Sequence, residues 1–202
     1  MSLYEQLQDA LERAAFDAFK QSALRLRGET FYCASLYTSD GYGYVCDTVS
    51  TIEGLKTVAE RYFGDGSYRT LEETMQRLKW SPCDSPYHIE NEHLFTECNR
   101  IIDEIWGAID FKNEEEADRA YRELHTVFVA VLRKIRAANI FDPKCVITLL
   151  AGDQSDEARV ANTEEINPPE VSRALLADLK VDGEHLARLR KNRWPTDNYY
   201  EP

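Results

Sequence analysis

Apolar residues recur three and four apart from the start of the chain, at Leu3, Leu7, Leu11, Ala14, Ala18 and Phe19. This spacing predicts an amphipathic helix ending near Gly28, with Glu5, Gln8, Asp9, Glu12 and Arg13 outward. The period then shortens to two. FYCASLYT (31–38) and YVCDTV (44–49) read as strands, and SDGYG between them supplies two glycines suited to positive φ, so the pair predicts a β-hairpin. Ser50 with Glu53 forms a capping-box pattern that opens a helix running to Gly64. Gly54 sits inside it, where glycine is a poor helix former. Thr70 with Glu73 repeats the cap and starts TLEETMQRLKW, after which Pro82 and Pro86 enforce a loop.

From about Asn91 the helical period returns at Leu94, Phe95, Cys98, Ile101, Ile102, Ile105, Trp106 and Ile109. A second long helix starts at Asn113 with Glu116 and carries Ala117, Tyr121, Leu124, Phe128, Val131, Leu132 and Ile135. The short connection predicts that these two helices pack antiparallel. CVITLLAG (145–152) is β-branched and apolar throughout, which predicts a buried strand. DQSDEARVANTEE is polar and reads as a loop, with room for one short turn or strand. Asn167 with Pro168 starts another helix, and GEHLARLRKNR forms the last one before a polar, aromatic tail.

Strands and helices do not alternate regularly, which excludes a doubly wound parallel sheet. The expected fold class is α+β: a helix-rich single domain with a small, mainly antiparallel sheet of at least three strands packed by helices. Residues 1–180 form the domain, and 181–202 a C-terminal helix and tail packed on it or extending from it. Composition fits this picture: of 202 residues, 43% are apolar and 30% charged. The net charge of −12 changes the list of partners. Nucleic acid and anionic membranes reward a basic surface and are disfavoured, whereas a cationic protein is favoured. There is no secretory pattern and no apolar run near the ~20 residues of a membrane helix, so a cytoplasmic location is expected. Five scattered cysteines without a C-x-x-C pair read as reduced thiols rather than a disulfide framework.

Candidate chemistry is sparse. HIENEH (88–93) offers His88, Glu90, Glu92 and His93, but the histidines are five apart, not the four that place two ligands on one helical face. A solvated helix start with acidic residues near its dipole is the simpler reading, and no metal is expected. Cys83 with His88 is the one conceivable nucleophile pair, in a loop stiffened by two prolines. Nucleotide-binding and serine-hydrolase motifs are missing, and no cofactor is expected. The basic cluster Arg188, Arg190, Lys191 and Arg193 complements the end of its own helix. In KWSPCDSPYH (79–88), Trp80 and Tyr87 can bury large faces and keep a polar handle, and Asp84 can cap a turn. This loop reads either as a plug under the sheet or as a binding surface.

Several stretches taken in order carry a family resemblance: FYCASLYTSDGYGYVCDTVST, a helix beginning IEGL, KWSPCDSPYH, HLFTE, VITLLAGDQSDEAR and INPPEV. Over roughly residues 3–176 the chain resembles the mainly bacterial domain-of-unknown-function family 4303. The loop departs from the family's pattern at Ser85, where a second tryptophan is expected. The resemblance implies no activity, cofactor or catalytic residue. Families of this kind are suspected as immunity proteins beside toxin genes. The leading expectation is therefore a non-enzymatic interaction protein, concretely an immunity-type binder that blocks a toxin with an acidic surface. The candidate surface comprises Tyr42, Tyr44, Trp80, Asp84, Tyr87 and His88. The alternative is a small enzyme or small-molecule binder with a pocket around 79–93 holding Asp84, His88 and Cys83. A structural subunit, recognisable by an exposed apolar stripe on a long helix, is a third.

Overall fold

The computed structural model describes residues 1–39, 41–66, 69–152 and 154–192; Arg193 and the polar tail expected after the last helix lie outside them. The first helix, α1 (Leu3–Arg25), is capped by Ser2, whose side chain accepts from the Glu5 N–H while Glu5 returns a bond to Ser2. Its inner face alternates bulk and alanine, with Leu7, Leu11 and Phe19 among Ala10, Ala14, Ala15 and Ala18. The hairpin follows as β1 (Phe31–Thr38) and β2 (Val45–Thr51), paired antiparallel.

Its connection differs from the expected turn. Gly41 and Gly43 do not use positive φ; Tyr42 does, at 55°. Crowding bears on Gly43, where a Cβ would lie 3.0 Å from Ser39 Oγ; one on Gly41 would make ordinary contact with the Tyr121 ring, 3.4 Å from its hydroxyl.

The helix α2 (Ile52–Gly64) starts one residue later than the cap pattern suggested. Thr51 is the N-cap and accepts from the Gly54 N–H at 3.0 Å. Glu53 turns away from the cap and accepts from the backbone N–H and hydroxyl of Thr30, tying α2 to the entry of β1. Gly54 is required despite its helix cost, because a Cβ there would lie 2.9 Å from the Tyr87 ring and 3.0 Å from Pro86.

Next come α3 (Leu71–Leu78), capped by Thr70 as expected, a 3-10 turn at Pro82–Asp84, and the two-residue strand β3 (Tyr87–His88). A second 3-10 turn (Glu92–Phe95) leads into α4 (Thr96–Gly107), and Asn113 caps α5 (Glu114–Ala137). The two long helices do not pack along each other. Both take α1 as their main partner, because its alanine-rich face lets two helices approach closely. They meet near their connection, where the Trp106 and Tyr121 rings lie 4.8 Å apart.

The strand β4 (Val146–Ala151) pairs parallel with β1, giving a mixed sheet of order β3-β2-β1-β4. One sheet face presents Ala34, Leu36, Val45, Val49, Ile147 and Leu149 to α1, α4 and α5. The other presents Cys33, Tyr37, Cys46, Val146 and Leu150 to a second core containing Trp80. Helices α6 (Asp156–Ile166), α7 (Pro169–Asp178) and α8 (Gly183–Asn192) complete that layer.

The helix α6 overturns the expected polar loop, and the sheet edge explains why. Among the described residues strand β4 has no neighbour beyond it, so its outward backbone groups need partners. Asn167 accepts from the Ile147 N–H at 3.1 Å and donates to the Ile147 carbonyl at 2.6 Å. Asn162 donates to the Leu149 carbonyl, and Gln154 accepts from the Ala151 N–H. The polar residues that read as solvent-facing are buried amides standing in for a fifth strand.

The opposite edge is closed in the same way. Asn99 of α4 accepts from the Val45 N–H at 2.7 Å and donates to the Val45 carbonyl at 3.2 Å. The Ile89 N–H and the Ser85 hydroxyl take the carbonyls of Asp47 and Val49. Ser85, the departure from the family pattern, thus serves as an edge cap.

Candidate functional site

The loop 79–93 wraps the β3 edge, and its residues separate into buried anchors and half-exposed polar groups. Trp80 is 6% exposed and lies edge-on to Tyr32 at 5.5 Å. Its indole N–H donates to Asp178 Oδ2 at 3.1 Å, and Lys79 Nζ shares that oxygen at 2.6 Å. The end of α7 therefore clamps the loop. Trp80 is a core plug, not the surface anchor expected of it. Tyr42 is likewise buried, with its hydroxyl bonded to His125 Nδ1 at 2.8 Å. Both rings are large enough that sheet and helices close over them.

The remaining candidates are partly accessible. Tyr44 is 40% exposed. Asp84 accepts from the Tyr62 hydroxyl at 2.9 Å. Tyr87 donates to both oxygens of Glu29 and lies under the Arg25 guanidinium. His88 sits in β3, not at a helix start. Its Nδ1 bonds Thr48 Oγ1 at 2.6 Å, and its ring meets Tyr37 edge-on at 4.8 Å. The registers place His88, Thr48, Ser35 and Thr148 in one row across all four strands. Thr148 continues the row to Thr163 of α6 at 2.8 Å.

Cys83 is exposed and donates to the Tyr37 hydroxyl at 3.3 Å. Cys83, Asp84 and His88 thus each bond a different partner, and none bonds another. His93 is exposed, whereas His88 is half-buried. Among the described residues, no group of three or more His, Cys, Asp or Glu side chains is placed to hold a metal. At the C-terminus, Arg190 grips Glu164 through two bonds at 2.8 and 2.6 Å, and Arg188 meets His185. Arg190 is thus the member of the basic cluster held in an ion pair, and Arg193 lies outside the described residues.

Burial sets the protonation states. It pushes the thiols of Cys33, Cys46 and Cys98 up to about 12, and that of Cys145 well above its ordinary value. An alkylating reagent applied to the native protein is therefore expected to modify Cys83 first, and the other four only on unfolding. Peptide mapping after short and long exposure checks this; early labelling of Cys33 or Cys46 would contradict it.

Burial also holds the His88 imidazole below its ordinary pKa of 6.5, only partly offset by the Asp47 carboxylate. The unfolded chain then takes this proton more readily than the fold. Stability from this group is full above pH 6.5 and falls as the pH drops from there to the lower folded value. His88→Gln is expected to flatten the loss of melting temperature between about pH 7 and about pH 5. An unchanged slope would place the proton elsewhere.

A second locus went unremarked in the sequence. At the connection between α4 and α5, Phe111 stacks on Trp106 with centroids 5.7 Å apart and planes at 22°. Trp106 is fixed by its indole N–H to the Tyr42 carbonyl at 3.2 Å. Phe111 is 63% exposed. The signal was present: an aromatic residue inside IDFKNEEE, an acidic connection where nothing calls for a ring.

No helix among the described residues is long and apolar enough to cross a membrane. No curated protein and no solved structure matches the chain. The sequence profile of the domain of unknown function (DUF4303) matches residues 11–168, a span that holds the hairpin, the Trp80 loop, both asparagine-capped edges and the acidic connection. The chain belongs to the DUF4303 family.

Proposed function

We propose that the protein works by binding another protein rather than by catalysis, and that its partner presents a cationic surface. The most concrete form is an immunity-type protein that occludes the active site of a bacterial toxin. One observation carries the reading: 36 acidic residues against 24 basic ones give a net charge of −12. Such a field steers a basic partner and repels nucleic acid and anionic lipid. The geometry of the loop adds support, since its one exposed thiol donates to a tyrosine instead of meeting a base.

The test is co-expression with the product of the adjacent reading frame. A complex is expected whose association slows as salt rises from about 20 to about 150 mM, and in which the partner loses its toxicity. A metabolic neighbour that forms no complex would end this reading.

A further inference from the structure

The rings at the α4–α5 connection form a staircase. Tyr121 of α5 packs on Trp106 at 4.8 Å, Trp106 stacks on Phe111 at 5.7 Å, and Phe111 faces water. The inner steps are fixed by packing and by the Trp106–Tyr42 hydrogen bond. A Cβ on Gly107 would meet nothing within 4 Å, so the side of the turn is open. The residues next to the outer ring in the chain are exposed and mostly acidic: Asp103 on α4, Asp110 beside Phe111, and Glu114 and Glu115 in the first turn of α5, with Lys112 the basic exception.

We propose that this step is the docking site for a basic protein segment, with an arginine or lysine side chain laid over Phe111 and its charge held among Asp110, Glu114 and Glu115. The proposal rests on the reading of the protein as a binder of a cationic partner and adds the place and the contact. Three physical points favour this occupant. The face of an aromatic ring attracts a cation. The carboxylates draw the same cation in and turn anionic ligands away. A ring already stacked on a fixed tryptophan loses little freedom on binding, as suits the central anchor of an interface.

The experiment uses a labelled arginine–glycine repeat peptide, a glutamine–glycine control of equal length, and fluorescence anisotropy with the full chain. The arginine peptide is expected to bind and the control not to. Phe111→Ala is expected to weaken binding about tenfold. The double change Glu114→Gln and Glu115→Gln is expected to weaken it comparably and flatten its salt dependence. Phe63→Ala, at an exposed ring on α2, serves as the comparison and is expected to bind as the parent does. Phe111, Glu114, Glu115 and Phe63 are exposed, so every variant should remain folded at the assay temperature, which its melting curve checks. Equal binding by Phe111→Ala and the parent, or no binding by the parent, overturns the site. A toxin-like neighbour that binds both forms alike sinks this surface and leaves the broader reading standing. Failure of that neighbour to bind the parent sinks the broader reading instead.

Discussion

Replacing Asn167 with alanine is expected to lower the free energy of unfolding by about 3 kcal/mol, among the larger effects of any single polar change in this chain. Asn167 is 7% exposed. Its amide holds the Ile147 N–H and carbonyl, donates to the Thr163 carbonyl at 2.8 Å, and accepts from Arg136. Alanine leaves the Ile147 groups buried without partners, and each such group costs about 1–3 kcal/mol. Asn99 does the same for Val45 but is only partly buried. Water can replace some of its bonds, so Asn99→Ala is expected to cost about 1 kcal/mol. Urea unfolding of the two variants side by side checks the contrast. Equal losses would show that the two edges are not distinguished by solvent access.

Trp80→Ala is expected to cost about 3–5 kcal/mol, the usual range for emptying a buried aromatic site. The indole fills the second core beside Tyr32, and its N–H satisfies Asp178. Trp80→Phe separates the two contributions. It retains one ring and loses the hydrogen bond and the volume of the second ring, for about 1–2 kcal/mol. Because the side chain is buried, any loss of partner binding in Trp80→Ala should track its loss of folded protein. Weakened binding at unchanged stability would return Trp80 to the surface role first expected of it.

The elements most legible in the sequence were those with an apolar period. The helix from Leu3, the hairpin and the CVITLLAG strand all lie where periodicity put them, because burial of one face is the force that periodicity records. The α6 segment was illegible for the same reason. Asn162, Thr163 and Asn167 are buried through hydrogen bonds to a strand far away in sequence, and local polarity reads as exposure when the partner is out of view. Strand β3 is two residues long and exists only through pairing with Thr48 and Val49. The glycines misled in a related way. Gly43 and Gly54 are small because neighbouring atoms crowd them, a fact of the folded structure that turn propensity does not contain. For the candidate surface, residue type was a poor guide to exposure. Trp80 and Tyr42 went inward while Tyr44 stayed out, and Phe111, never considered, is the most exposed ring among the described residues.

The amides along both margins of the sheet have a bearing on recognition. Many proteins recruit partners by letting a foreign extended peptide prolong a sheet, backbone to backbone. Here side chains from α4, α6 and the segments around them already occupy those backbone valences, on β2 and on β4 alike. Strand addition at β4, or at the Val45 end of β2, would first have to evict an asparagine. On the proposal that the protein is a binder, its guest would read the helical exterior, where affinity depends on ring faces and charges and can be retuned one residue at a time without disturbing the scaffold.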